Sequence, residues 1–289
     1  MSKTDPAQMI SWLFDTQALR VCHPDEPFWY TSGTLGPYYI NTHFLYGSEK
    51  EAVSLLRDIE QAVSAPAEGL PGLAAKISQQ LTQNQIFSQL IEKLSVIASE
   101  TEADFISGGE RRDLFFSIPV AIKLGKLHLT LLKNGDGWYQ EQITSEAKLI
   151  EKDELSARTA LHIADLVTEA SSYVRTWLPA LRTAGARIQR TIVVVDRGQG
   201  GADILQKEGV LLQSMILIDR AFLDSAVRYG QIDERQKAFI EAFMADPHQF
   251  MLDFLKSHPG YLTRQIAMGG KNKERALRCM ELGFTDEKE

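Results

Sequence analysis

An acid and several hydroxyl groups follow an apolar run in the stretch ALHIADLVTEASSY, residues 160–173. Asp165 comes at the end of the run, and Thr168, Ser171 and Ser172 come shortly after it. The apolar run predicts a buried strand, and the serines are typical of a helix start. A helix N-terminus attracts anions because its first backbone N–H groups are unpaired. The stretch therefore predicts a phosphate site, or else a helix whose hydroxyls only cap its first turn.

Basic side chains follow three other apolar runs. Arg111 and Arg112 are adjacent in GGERRDLFFSIP, residues 108–119, while Lys133 ends KLHLTLLK and Arg197 follows TIVVVD. Guanidinium groups bind phosphates and carboxylates in a bidentate manner. We therefore predict anion contacts for the three arginines. The other interpretation, in which the arginines are solvated or pair with neighbouring acids, stays open.

The overall charge limits the classes of partner. The 289 residues carry a formal net charge of −7, with 44% apolar and 24% charged residues. Binding to nucleic acid without sequence preference relies on a basic surface, so we expect no nucleic-acid partner. Two cysteines, Cys22 and Cys279, favour a reducing cytoplasm over a disulfide framework. The pair Cys22-His23 has no second Cys/His pair at metal-ligand spacing, so no metal site formed by the protein alone is predicted.

The sequence has no pattern typical of a membrane protein. The segment MSKTDPAQMISWLF lacks an apolar core followed by small residues, so we expect no signal peptide. Apolar runs stay shorter than the roughly 18 residues that span a bilayer. We therefore expect a cytoplasmic protein without a membrane partner.

Alternating strands and helices are expected to position these side chains. We predict strands at residues 103–108, 126–133, 159–165, 191–197 and 211–218, and helices at residues 118–125, 171–185 and 202–209. This alternation is typical of βαβ units and a mostly parallel sheet. In such a sheet, ligands bind at the carboxyl ends of the strands. His162 lies inside an apolar strand and is predicted to be a hydrogen-bonded core residue, while Pro119 is predicted in the first turn of its helix.

The flanking regions have mainly helical patterns. We predict helices at residues 5–22, 49–64 and 73–99, with residues 64–72 (SAPAEGLPG) as a linker. Residues 28–47 are expected to form short β-like stretches around a turn. Everything from about Asp219 onward is predicted to be helical.

Four segments, in order, resemble orotate phosphoribosyltransferases of the type I phosphoribosyltransferase fold. They are FWYTSGTLGPYYIN (28–41), DFISGG with SIPVAIKLG (104–109 and 117–125), ALHIADLVTEASS (160–172) and TIVVVDRGQGGADILQKEGVLLQSM (191–215). The third is similar to the family's diphosphate-sugar signature. The resemblance implies an α/β domain at residues 1–218, with a mostly parallel twisted sheet flanked by helices. An N-terminal hood at about residues 1–100 belongs to it, and residues 219–289 form a helical C-terminal extension.

The resemblance also implies a reaction and a set of residues. Orotate and phosphoribosyl diphosphate would give orotidine 5′-monophosphate and pyrophosphate, with Mg²⁺ as cofactor, in a homodimer. Catalytic roles are implied for Asp165, Lys133, Arg111 and Arg112. Substrate-binding roles are implied for Thr168, Glu169, Ala170, Ser171, Ser172, Arg197, Ser32, Gly33 and Tyr38.

The signature segment departs from the family at three positions. Its first acid is Ala164, its loop glycine is Ala170, and Glu169 adds a negative charge beside the expected phosphate. A side chain at position 170 is compatible with the loop if φ stays negative. Three hypotheses therefore remain: an orotate transferase, a transferase for a different base, and a binding or regulatory protein of this fold without catalysis.

Overall fold

The computed structural model describes residues 6–285 and divides into two compact units. The first unit comprises residues 1–18 and 41–222, and the second comprises residues 19–40 and 223–289. The predicted division into residues 1–218 and 219–289 stays a prediction, and these units differ from it because residues 19–40 group with the tail. Residues 1–5, which enter the signal-peptide expectation, lie outside the described residues.

The N-terminal elements differ from the predicted helix at residues 5–22. Helix α1 is Pro6–Asp15, and the short strands β1 (Leu19–Val21), β2 (Phe28–Trp29), β3 (Leu35–Gly36) and β4 (Tyr38–Ile40) follow. The helix prediction is wrong after Asp15. Gln17 adopts a φ of 58°, and Leu19 then pairs with Ile40 in an antiparallel ladder.

Helices follow the strands. A 3-10 helix at Thr42–Tyr46 leads into α2 (Glu49–Ser64), α3 (Pro66–Gln83) and α4 (Gln85–Ser99). The predicted linker at residues 64–72 is wrong, because Pro66 lies at the start of α3, where its missing N–H needs no partner. The predicted helix at residues 73–99 is divided at Asn84, whose side chain accepts the N–H of Phe87 and caps α4.

A seven-stranded sheet forms the centre of the first unit. Its strands are β5 (Phe105–Gly109), β6 (Leu127–Leu131), β7 (Gly137–Gln140), β8 (Lys148–Leu149), β9 (Thr159–Val167), β10 (Arg187–Asp196) and β11 (Leu211–Leu217). The spatial order is β11-β10-β9-β5-β6-β7-β8, parallel from β11 to β6 and antiparallel at β7 and β8. The predicted mostly parallel α/β class is confirmed.

Helices connect the parallel strands. They are α5 (Leu114–Leu124), a π-helical turn (Tyr173–Trp177) that continues into α6 (Leu178–Thr183), and α7 (Gly201–Lys207). The first-turn prediction for Pro119 is wrong, because α5 begins at Leu114 and Pro119 lies inside it. The earlier start buries Phe115 and Phe116, both 0% exposed.

The second unit combines the four short strands with helices near the C-terminus. These helices are α8 (Arg220–Arg228), α9 (Glu234–Ala245), α10 (Pro247–Ser257), α11 (Tyr261–Met268) and α12 (Gly270–Glu281). Trp29 and Leu35 are buried in one apolar cluster with Phe254 and Cys279. Within the described residues, no helix has both the length and the apolar composition needed to cross a bilayer.

Candidate functional site

A cavity of about 540 Å³ lies at the carboxyl ends of β5 and β9. These two strands are parallel neighbours, so the segments that follow them meet at one edge of the sheet. The cavity is lined by Glu110, Arg111, Arg112, Asp113, Lys133, Ala164, Asp165, Leu166, Val167, Thr168, Glu169, Ala170, Ser171, Ser172, Tyr173 and Trp177. The fold thus brings together the acid, the hydroxyl-rich turn and three of the cations that the sequence singled out.

The turn after β9 has a glycine-like backbone at an alanine. Ala170 has a φ of 50°, so the condition of a negative φ, under which a side chain would be compatible with the loop, is not met. Left-handed backbone is unfavourable for a residue with a Cβ and is concentrated at functional turns. Ala170 is 4% exposed and packs into the core beneath the cavity. The loop therefore keeps the glycine-type path even though the glycine is absent.

The hydroxyl groups of this turn face a helix start. Ser171 and Ser172 are both exposed and line the cavity, and the side chain of Ser172 does not cap the helix that follows. The structure therefore does not support the interpretation in which Ser172 only caps the helix, because the capping hydrogen bond is absent among the described residues.

Asp165 interacts with a second acid, Asp113, from the loop after β5. Asp113 Oδ1 accepts the backbone N–H of Asp165 at 2.9 Å, and Asp113 Oδ2 accepts the N–H of Gly109 at 3.0 Å. The hydroxyl of Thr42 donates to Asp165 Oδ2 at 2.6 Å. Burial raises the pKa of Asp113 to about 7. Burial and the neighbouring Asp113 charge raise the pKa of Asp165 to about 7.

His162 lies behind this acid pair, inside β9. It is 0% exposed, and its Nδ1 shares a 3.0 Å hydrogen bond with the Ser107 hydroxyl, which confirms the predicted core histidine. Its Nε2 is 3.7 Å from Asp113 Oδ2. Burial lowers the pKa of His162 to about 3, so the ring is neutral at physiological pH. Polar side chains therefore extend from Asp113 at the cavity to His162 and Ser107 inside the sheet.

The cations of the cavity are weakly held. Arg111 pairs with Glu60 of α2 at 2.6 Å, and Lys133 lies 3.9 Å from Glu110. The Arg111 and Glu60 side chains are 40% and 46% exposed, and such exposed ion pairs contribute about 0–1 kcal/mol. In this structure Arg111 therefore pairs with an acid, as in the second interpretation of the arginines given above. Because the pair is weak, an incoming anion would displace Glu60 at little cost.

Arg112 is exposed beside the acid pair. Its positive charge acts to lower the pKa of Asp165, although burial and Asp113 outweigh it. Burial, followed by the charges of Arg112 and Arg111, lowers the pKa of His43 to about 3. Arg112 is thus close enough to both groups to influence their protonation.

Four predicted site residues lie elsewhere in the structure. Arg197 follows β10 and donates its N–H to the carbonyl of Val167 at 3.0 Å, but it does not line the cavity. Ser32, Gly33 and Tyr38 belong to the second unit. There Gly33 occupies a turn with a φ of 88°, the Ser32 and Thr34 hydroxyls are 2.8 Å apart, and Tyr38 is 2% exposed. Their binding roles stay predictions.

Sequence reasoning assigned no role to Asp113. The signal available was its place in the loop between β5 and α5, whose neighbours Arg111 and Arg112 were singled out. Its contact with Asp165 depends on the pairing of β5 with β9. This pairing cannot be predicted from the sequence of either strand alone. Within residues 6–285, no group of three or more His, Cys, Asp or Glu side chains is placed to hold a metal ion.

Comparison with known proteins gives two informative relatives. The chain is 24% identical over 161 residues to an orotate phosphoribosyltransferase of Sulfolobus acidocaldarius, covering 55% of this chain and 76% of that protein. It superposes on the UMP synthase of Leishmania donovani with a TM-score of 0.55 at 17% identity, covering 84% of this chain and 43% of that chain. No protein-family model matches.

An orotate phosphoribosyltransferase from Aeropyrum pernix is also similar, with a TM-score of 0.44 at 17% identity, covering 75% of this chain and 97% of that chain. The Sulfolobus relative confirms the resemblance to orotate phosphoribosyltransferases, and the superposition on the Leishmania structure confirms the type I phosphoribosyltransferase-like fold. The chain spans less than half of the UMP synthase that it matches.

Proposed function

We propose that this chain is a phosphoribosyltransferase and that its acceptor base is orotate. One observation carries the proposal: a single cavity holds Asp165, the turn 168–172 and the cations Arg111, Arg112 and Lys133. A phosphoribosyl diphosphate molecule needs these features together, namely a phosphate turn, a hydroxyl acceptor and positive charge for pyrophosphate. The curated relative's name supports orotate as the base.

The reaction exchanges one bond at C1 of the ribose. The bond from C1 to the pyrophosphate oxygen breaks as a bond to a ring nitrogen of orotate forms, and the proton of that nitrogen passes to the departing pyrophosphate or to solvent. Negative charge builds on the departing pyrophosphate, and cations fixed around it lower the barrier. Arg112 and Lys133 supply this charge, and Arg111 joins them after leaving Glu60. The turn 168–172 binds the 5-phosphate through its hydroxyl and backbone N–H groups.

Mg²⁺ fits the residues present only as an ion brought by the substrate. The described residues offer no cage of three or more ligating side chains. Mg²⁺ commonly binds through substrate phosphates and one or two carboxylates while keeping several waters. Asp165, one of the four acids that line the cavity, would contribute to holding it, and the bound ion would neutralise charge on the leaving group. We also propose, from the resemblance, a cytoplasmic homodimer.

A binding protein without catalysis is the second candidate. It is favoured by the loss of the acid at position 164 and by Glu169, an exposed negative charge in the turn meant for phosphate. Like-charge repulsion weakens phosphate binding there. This candidate predicts ligand binding without turnover.

Orotate absorbance and calorimetry separate the two candidates. Purified protein is incubated with orotate, phosphoribosyl diphosphate and Mg²⁺, and orotate consumption is followed. The transferase proposal expects consumption that Asp165→Asn slows by roughly tenfold or more. Calorimetric binding of phosphoribosyl diphosphate without consumption of orotate, or of any base in a panel, would favour the second candidate. Turnover with another base alone would reassign the acceptor.

A further inference from the structure

Asp113 brings a second carboxyl group to the cavity from a distant part of the chain. It is separated from Asp165 by 52 residues, yet its Oδ1 accepts the Asp165 N–H at 2.9 Å. By resemblance, the phosphoribosyl signature has two consecutive acids at the end of β9. Here the first of these positions is Ala164, which lines the same cavity and is 2% exposed. The strand end alone thus provides one acid.

The absence of a side chain at Gly109 leaves room for the Asp113 carboxyl group. A Cβ on Gly109 would lie 2.7 Å from Asp113 Oδ2 and 2.4 Å from the Trp177 ring, so glycine is required for this close packing. The Asp113 side chain is 10% exposed, and it contributes to the cavity wall. Its position is therefore fixed by packing and by two backbone N–H donors.

Asp113 retains capacity for further hydrogen bonds. An ionised carboxylate has about four acceptor positions. The N–H groups of Asp165 and Gly109 use one position on each oxygen. The Asp165 carboxyl group and His162 Nε2, which is 3.7 Å from Oδ2, also lie beside the Asp113 carboxylate. A position left over can accept a hydroxyl donor in the cavity. Asp165 also has positions left over, although its Oδ2 accepts the Thr42 hydroxyl and its carboxyl group interacts with that of Asp113.

We propose that Asp113 replaces the acid missing at position 164 and forms, with Asp165, the pair that accepts the ribose hydroxyl groups. The inference rests on the proposed function, because it assumes a phosphoribosyl ligand. The other two acids of the cavity suit this role less well. Glu110 lies 3.9 Å from Lys133, and Glu169 is exposed in the turn that would hold the 5-phosphate.

The test is discrimination between two sugars that differ by one hydroxyl. Binding of ribose 5-phosphate and of 2-deoxyribose 5-phosphate is measured by calorimetry for the unmodified protein and for Asp113→Asn, at about pH 8, above the raised pKa of each carboxyl group. Asp104→Asn is the matched control, since Asp104 also accepts a backbone N–H of β9, that of Thr159, at its opposite end. Thermal unfolding checks that each variant is folded.

The unmodified protein and Asp104→Asn are expected to prefer ribose 5-phosphate by roughly tenfold or more, the effect of one hydrogen bond to a charged group. Asp113→Asn is expected to lose most of this preference, whereas a purely structural role would weaken both sugars equally. Should Asp113→Asn fail to fold, Asp113→Glu gives the same readout, because its longer side chain displaces the carboxyl group and lowers the preference.

Two other results overturn the inference in distinguishable ways. If the unmodified protein prefers ribose 5-phosphate and the folded Asp113 variant keeps that preference, Asp113 does not contact the hydroxyls, and the proposed function stands. If the unmodified protein binds neither ribose 5-phosphate nor phosphoribosyl diphosphate, the proposed function itself fails, and the inference fails with it.

Discussion

Single residues determine which functional groups of the phosphoribosyl signature are present at residues 160–172. The loss of an acid at Ala164 is evident in the sequence, but the proximity of Asp113 to Asp165 is a property of the fold. The loss of glycine at position 170 is equally evident, yet the backbone there remains left-handed. The two departures therefore change side-chain chemistry more than they change the path of the chain.

The backbone at Ala170 gives a prediction about stability. Ala170→Gly is expected to change the free energy of unfolding by less than about 1 kcal/mol. Relief of the left-handed backbone, about 1–2 kcal/mol, offsets the lost buried methyl group and the more flexible unfolded chain. Urea unfolding measures the change.

Ala164→Gly is the control for this prediction. Ala164 is also buried, at 2% exposed, but its φ is not positive. Its replacement by glycine has no compensating relief and is expected to cost about 1–2 kcal/mol. Equal losses for the two variants would contradict a left-handed Ala170.

Buried histidines give a prediction about pH. His128 is 0% exposed and hydrogen-bonded to Ser117, and burial lowers its pKa from 6.5 to about 3. The unfolded chain takes up this proton below pH 6.5 and the folded chain does not, so stability is lost as the pH falls. His128→Gln removes one such group. Between pH 7 and pH 5 the variant is expected to lose about 2 kcal/mol less unfolding free energy than the unmodified protein.

Urea unfolding at the two pH values checks the histidine prediction. His43 and His162 act in the same direction, since burial lowers the pKa of each to about 3. The raised pKa values of Asp113 and Asp165 act in the opposite direction, because there the folded chain holds the protons more tightly. An unchanged pH dependence in the variant would mean that His128 is not held neutral.

At the scale of elements, α3 provides a paired prediction. A Cβ on Gly69 would lie 2.5 Å from the Cα of Ala62 in α2, while a Cβ on Gly72 would meet nothing within 4 Å. Gly69→Ala is therefore expected to destabilise the protein by about 1–3 kcal/mol through overpacking. Gly72→Ala is expected to stabilise it by about 0.5–1 kcal/mol through helix propensity. Thermal and urea unfolding compare the two, and equal effects would contradict this packing of α2 on α3.

The sequence predicts the elements of the sheet better than those around it. Alternation of apolar runs with helical patterns identified the five parallel strands, because buried parallel strands are nearly continuous apolar runs. The helix at residues 66–72 was missed since its prolines and glycines are typical of linkers. Gly69 packs closely against Ala62 of α2, and local propensity does not include such a contact.

The candidate site was predictable where it depends on strand ends. Asp165, Lys133 and the turn 168–172 each follow a strand of the same parallel region, and parallel strands end at one edge. Asp113 was missed as a partner of Asp165 because neighbouring strands β5 and β9 are far apart in the chain. Strand order is set by tertiary packing rather than by any one segment.

At the scale of the whole molecule, the second unit joins distant parts of the chain. Leu35 donates its N–H to Met251 Sδ at 3.0 Å, and Trp29 Nε1 donates to Gln265 at 3.0 Å. Arg278 donates to the Thr31 carbonyl at 2.7 Å. Residues 19–40 therefore depend on residues 223–289 for their buried contacts.

Removal of the tail tests this dependence. A chain ending at Phe222 is expected to expose Trp29, which is 6% exposed in the full chain, and to bind an apolar dye more strongly. Tryptophan emission should shift to longer wavelength, and full-length Trp29→Phe identifies the contribution of that residue. A shortened chain with native emission and cooperative unfolding would instead support an independent domain at residues 1–218.

The most direct measurement is orotate consumption with phosphoribosyl diphosphate and Mg²⁺, compared between the unmodified protein and Asp165→Asn. We expect the unmodified protein to form orotidine 5′-monophosphate and pyrophosphate in equal amounts. Asp165→Asn should reduce kcat/KM by roughly tenfold or more, since it removes a charged hydroxyl acceptor. Absence of turnover in the unmodified protein, or turnover indifferent to Asp165, would contradict the proposed transferase site.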